Sequence, residues 1–200
     1  MRVWTAAALL AAVVLVSGAA AALPPPRTTK APWSRPADPL ALARRAGLKP
    51  EPHEFFGYHV HAHLDVFVNG RKIRIPAGIG IQISDPAVKR FPEPDGSVGY
   101  GGISPPCKRP CISPLHTHDP DGILHTESAR AQPNRLGEFF TEWNVRLTRK
   151  CIGGYCGHVR FFVGGKPYRG DPRAITLTNQ KDIVITVGRP PKSIPSTFPQ

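Results

Sequence analysis

The sequence predicts a small α+β domain: a mixed β-sheet built from hairpins, with one amphipathic helix packed on it and the element order of a β-grasp-like arrangement. Three observations carry this. His59–Asn69 alternates apolar and polar residues without a break, the period of a half-buried strand. It runs into Asn69-Gly70, the strongest two-residue hairpin turn signal. Leu136, Phe139, Phe140 and Trp143 follow the i, i+3, i+4, i+7 spacing of a helix with one buried stripe. Composition agrees, because 19 Gly and 24 Pro in 200 residues exclude a helical bundle or coiled coil.

The chain opens on an export signal. Arg2, the apolar run Val3–Val16 and then Ser17-Gly18 with a string of alanines form the three regions of a secretory signal peptide, residues 1–22, with cleavage after Ala21 or Ala22. The alternative is an uncleaved anchor, since Val3–Leu23 approaches the roughly 20 residues that cross a bilayer. Thr5, Ser17, Gly18 and the alanines weaken that span. Residues 23–54 are expected to be a proline-rich linker with no core of its own. One short helix, Leu40–Ala46, interrupts it, with Asp38 as cap, Pro39 at the first position and Gly47 as stop. The globular domain is then 55–188, followed by a proline-rich extended tail, 189–200.

Within the domain, Val60, Ala62, Leu64, Val66 and Val68 share one strand face; His59, His61, His63, Asp65 and Phe67 share the other. Arg71–Ile75 returns as the hairpin partner, Ile79–Ile83 reads as a further short strand, and Phe91–Pro114 reads as loop. Leu115–His118 and Ile123–Glu127 form two strands around a four-residue turn, Asp119–Gly122. The helix spans Arg135–Asn144 with Asn134 as cap, and Trp143 is expected to bury against the Val60–Val68 face. Val159–Val163 and Asp182–Val187 complete the strands.

Cys107, Cys111, Cys151 and Cys156 are an even set in an exported chain, so disulfides are expected. Three connectivities are open, two local loops or either of two crossed arrangements. A four-thiolate zinc site is the rival, but the C-x₃-C and C-x₄-C spacings miss the usual zinc knuckle and the compartment opposes it.

The histidines carry the chemistry. His59, His61 and His63 stand in a row along one strand face, about 6–7 Å apart. Across the Asp119–Gly122 turn, His118 is expected to face Ile123 and His116 to face His125, which puts His116, His118 and His125 on one face with Glu127 next along it. Two such rows point to a divalent metal held by His61, His63, His116, His118 and His125. Asp119 ligates or orients a ligand ring. Nitrogen-rich donors suit copper or zinc, and the absence of methionine clusters (Met1 is the only one) argues against a methionine-type copper(I) carrier. There is no HExxH helix, Gly-x-Ser-x-Gly elbow or phosphate loop. An enzyme would need a three-histidine site with an open position and Glu127 as base. His53 and His158 stand alone and read as surface residues.

Several segments together resemble an uncharacterised set of secreted or membrane-anchored proteins of bacteria and archaea. They are His61-Ala62-His63-Leu64-Asp65-Val66-Phe67-Val68-Asn69-Gly70, Ile75-Pro76-Ala77-Gly78-Ile79-Gly80-Ile81, Leu115-His116-Thr117-His118-Asp119 with Gly122-Ile123-Leu124-His125-Thr126-Glu127-Ser128, and Leu136-Gly137-Glu138-Phe139-Phe140. The resemblance covers about Tyr58–Gly188 and implies an extracytoplasmic location but no activity.

Net charge is +12, with the basic residues scattered and no run or aromatic pattern of a nucleic-acid binder. Such a balance suits anionic envelope polymers or lipid head groups as partners, and equally a composition that merely keeps the chain soluble. The expected function is therefore an exported binder or accessory factor for a divalent metal. The alternative is a metal-free basic interaction module at the cell envelope.

Overall fold

β1 (Tyr58–Val68) is the spine of the molecule, because it is paired along both edges. The structure, a computed structural model, describes residues 22–199, so the predicted signal segment lies, but for Ala22, outside the described residues. In chain order the elements are α1 (Pro39–Arg45), β1, β2 (Arg71–Ile73), β3 (Lys89–Pro92), β4 (Val98–Gly101), β5 (Leu115–His116), β6 (Ile123–Ser128), α2 (Leu136–Glu142), β7 (Cys151–Ile152), β8 (Tyr155–Cys156), β9 (Val159–Val163), β10 (Lys166–Tyr168), a 3₁₀ turn at Pro172–Ala174, and β11 (Lys181–Val187).

The main sheet runs β10-β9-β11-β1-β6-β5. β1 and β11 are parallel, with Leu64 opposite Ile183, and the other pairs are antiparallel. On its other edge β1 pairs with β6 over Tyr58–His63 and with β2 over Val66–Val68. A first hairpin, a helix, a second hairpin and a last strand beside the first is the β-grasp order that the sequence predicts. The β5–β6 hairpin is added on the free edge of β1. β11 is buried along both faces from Asp182 to Val187, as a central parallel strand must be. Asn69 and Gly70 both take positive φ, 50° and 82°, the geometry of the tight turn between β1 and β2.

α2 lies on the face carrying Ala62, Leu64 and Val66. Leu136, Phe139, Phe140 and Trp143 are all fully buried in one core with these residues. α2 is shorter than predicted, and its cap is Arg135 rather than Asn134. The Asn134 amide instead donates to Thr126 Oγ1, while Glu138 accepts the Arg135 backbone N–H at 2.6 Å. α1 begins at Pro39 as expected, but the Asp38 side chain makes no capping hydrogen bond.

Other departures from the sequence reading have local causes. Residues 23–54, expected to build no core, contribute Trp33, Ala43 and Leu48 to the main core, and Trp33 meets Trp143 edge-on at 5.5 Å. Prolines keep this segment out of the sheet ladder but leave its apolar side chains free to bury. Ile79–Ile83 is not a strand. Ile79 and Ile81 are buried from a turn, and only an isolated bridge joins Ile81 to Ile112. Phe91–Pro114 is not all loop, since β3 and β4 form a hairpin with Phe91 opposite Gly99. A second cluster of buried side chains, including Tyr100, Ile103 and Ile112, packs beside it.

The cysteines take the local connectivity, Cys107–Cys111 and Cys151–Cys156, the second across the β7–β8 pair. Two disulfides fit an oxidising, extracellular environment. Among the described residues, no helix is long and apolar enough to cross a membrane. The tail folds back over the sheet: the Arg189 N–H donates to Asn69 Oδ1, and the Phe198 ring lies 6.4 Å from that of His63.

Candidate metal centre

Strand period and register assemble the site before any side chain is considered. His59, His61 and His63 leave β1 on the face opposite α2. Across the ladder, His59 faces Glu127, His61 faces His125 and His63 faces Ile123. β5 adds His116 opposite His125. Opposed residues share a face, so the two predicted rows lie on one side of the sheet. β5 ends at His116, so His118 does not oppose Ile123 as expected; its ring reaches the same cluster from the following turn.

Among the described residues, two groups of side chains could hold a metal ion: His59, His61, His125 and Glu127, and His116, His118, His125 and Glu127. Within each, the donor atoms lie within 4.8 Å of one another. In the first, His59 Nε2 and His61 Nε2 are 2.8 Å apart. In the second, His116 Nε2 and His118 Nε2 are 3.1 Å apart. The His125 ring sits 4.4 Å from both the His61 and the His118 ring. Glu127 Oε1 is 3.2 Å from His59 Nε2 and from His125 Nδ1, 3.6 Å from His118 Nε2 and 3.7 Å from His116 Nε2.

The second group is pre-oriented by backbone. The His116 Nδ1–H donates to the Ser113 carbonyl at 2.8 Å and the His118 Nδ1–H to the Tyr100 carbonyl at 2.6 Å. Each bond selects the tautomer whose Nε2 is free to ligate, the arrangement that metal-binding histidines commonly use. Gly80 makes room for it. A Cβ there would lie 2.5 Å from the Leu115 carbonyl oxygen and 3.1 Å from His116 Cβ, and its φ of +77° also favours glycine.

Electrostatics keep His61, His116, His125 and Glu127 in ligating forms, whereas His118 is shifted towards its protonated form. Burial pushes His125 down to about 3, and the neighbouring imidazoles add to the shift against the pull of Glu127. Burial likewise lowers His116, helped by His118, and lowers His61, helped by His59. Burial also acts to lower His118, but Glu127, the Tyr100 carbonyl and Glu54 outweigh it and raise this ring. Burial would raise Glu127, yet the His116, His118 and His125 rings around it hold the carboxyl well below the usual range.

Of the residues singled out from sequence, His61, His116, His118 and His125 are brought together. His63 is not in either group. Its Nδ1 bonds Asp182 Oδ1 on β11 at 2.9 Å, and Asp65 Oδ1 lies 3.7 Å from its Nε2. Asp119 also stands outside both groups, where burial and the nearby Glu93 and Asp121 carboxylates raise it. His59 and Glu127 take their places. His59 has the same strand phase as His61, so periodicity alone qualifies it; its pairing with Glu127 is a matter of register.

Fold and site define a mixed-sheet α+β protein whose outer face carries histidine–glutamate groups able to hold a metal. Comparison with known protein families, with curated proteins and with solved structures finds no match.

Proposed function

We propose that this is an exported protein that binds a divalent metal, copper or zinc, through its two histidine rows and acts as a binder or accessory factor. One observation carries the reading. His116 and His118 turn their Nδ1 atoms to backbone carbonyls and their Nε2 atoms to a common point beside His125 and Glu127. Placing the His59, His116, His118 and His125 rings around one carboxylate without a ligand would crowd titratable groups for no compensating gain. Imidazole-rich donors with one carboxylate suit Cu(II) and Zn(II) rather than Mg²⁺ or Ca²⁺. The signal-like Met1–Ala22 segment, the two disulfides and the resemblance of Tyr58–Gly188 to secreted or membrane-anchored prokaryotic proteins support export.

The test is elemental analysis of the mature chain after exhaustive dialysis, beside the double variant His116→Ala/His118→Ala. Retained copper or zinc in the parent and a loss of bound metal in the variant is the expected result. A parent that retains neither ends the reading.

A second reading, a metal-free basic module that binds anionic envelope polymers or lipid head groups, has one observation in its favour. Arg149, Arg160 and Arg169 surround a surface pocket lined by Phe162 and Tyr168 on the β9–β10 edge. Binding to anionic but not neutral vesicles, abolished by Arg160→Glu and indifferent to the histidine variants, would select it.

A further inference from the structure

We infer that the centre takes two divalent ions, bridged by the Glu127 carboxylate; this rests on the metal-binding reading above. The six donors do not form one set. His59 and His61 gather on one side, His116 and His118 on the other, and only His125 and Glu127 belong to both. His59 and His61 stand on β1, His116 ends β5 with His118 two residues beyond it, and β1 and β5 flank β6. Their backbones are therefore two strand spacings apart, about 10 Å. Donors on one ion at about 2.0–2.2 Å can be no farther apart than roughly 4.4 Å. Each pair closes over its own side of β6, which is the requirement for two ions.

Glu127 is the group that connects them. Its Oε1 touches His59 of the outer pair at 3.2 Å and His118 and His116 of the inner pair at 3.6 and 3.7 Å. Its Oε2 is buried and has no hydrogen-bond partner among the described residues. A carboxylate with one oxygen between two imidazole pairs and the other free of protein donors is able to bridge ions about 3.5–4 Å apart. Charge is also provided for. In a chain of net charge +12, acidic groups concentrate here. Glu54 is 3.9 Å from His118, and Asp119 and Asp121 line a cavity of about 650 Å³ that His61 and His125 also border; Asp65 lines it too, paired with Lys72 at 2.6 Å.

The two positions are unequal. The inner one uses the fully buried His116 and two rings locked on backbone carbonyls. The outer one uses the exposed His59, whose ring contacts only side chains. The inner ion should bind first and more tightly.

The experiment titrates the chelator-stripped mature chain with Cu(II) near neutral pH, counting retained copper and recording electron paramagnetic resonance at one and two equivalents. The expected result is two ions per chain, with an uncoupled spectrum at the first equivalent and a spin-coupled pair at the second. His59→Ala/His61→Ala should retain one ion with an uncoupled spectrum. Glu127→Gln should abolish the coupling. One ion in the parent, unchanged by His59→Ala/His61→Ala, overturns the pair but leaves the metal-binding reading intact. Two ions that never couple, or a coupling that survives Glu127→Gln, overturns the bridge. No retained copper overturns both.

Discussion

Gly80→Ala separates the positioning of His116 from the general cost of a strained turn. The new Cβ would sit 2.5 Å from the Leu115 carbonyl oxygen, 3.1 Å from His116 Cβ and 3.2 Å from Ser113 Cβ. Restoring ordinary contact of about 3.5 Å requires β5 to move by about 1 Å. Metal–nitrogen bonds tolerate about 0.2 Å, so the His116 Nε2 would leave its place unless the strand tilted to compensate. The loss should resemble that from deleting an orienting partner, about 10- to 100-fold in metal affinity. Alanine at positive φ adds about 1–2 kcal/mol of destabilisation.

Gly47→Ala is the matched control. Its φ is +84°, close to the +77° of Gly80, and a Cβ there meets nothing within 4 Å. It should therefore carry the same backbone strain and bind metal like the parent. Urea denaturation gives the first quantity, and competition against a chelator of known affinity gives the second. If Gly80→Ala is destabilised no more than Gly47→Ala and binds metal at the parental affinity, then the approach of Gly80 to β5 does not position His116, and the reasoning fails.

Other consequences follow from burial and charge. Trp143→Ala empties a fully buried site ringed by Trp33, Phe139 and Phe140 at 5.5, 5.8 and 5.6 Å, and should lower unfolding free energy by about 3–5 kcal/mol. A loss under about 1 kcal/mol would contradict the packing of α2. The metal-stripped protein should weaken in acid. His125 stays neutral in the fold down to about 3, whereas the unfolded chain takes up this proton near pH 6.5. The unfolded state then binds more protons, so stability falls as pH drops from about 6.5 to about 3, by up to about 5 kcal/mol from this group. His118, raised in the fold, acts in the opposite sense. Denaturation across that pH range should show the loss, and His125→Gln should flatten it; an equal slope in the variant would refute the assignment. Mass spectrometry of the non-reduced protein should find four fewer hydrogens than the all-thiol mass and no alkylatable thiol.

Much of the site was legible before the fold was known, for a local reason. Alternation along 59–69 places His59, His61 and His63 on one face, and a four-residue turn at Asp119–Gly122 implies that His116 meets His125, as it does. Periods of 2 and 3.6 are consequences of backbone geometry, so they can be read from neighbouring residues. Pairings inside a cluster of short range follow, and so does the buried stripe of α2. Trp33 was not legible, because nothing near it in sequence says which surface its proline-flanked strap will cross. Nor was the β3–β4 hairpin, whose glycines and prolines resemble loop composition.

The sequence by itself determined the α+β class, the hairpin turn at Asn69-Gly70, the helix stripe and the two histidine faces. Only the tertiary structure decided which members of each row meet. β1 and β6 are separated by more than fifty residues of chain, and their register is set by the burial of Ala62 and Leu124 on the shared inner face. That register puts His59 against Glu127 and leaves His63 opposite Ile123, free to turn to Asp182 on the neighbouring parallel strand. No local pattern specifies such a pairing, because it is the packing of the inner face that selects what the outer face brings together.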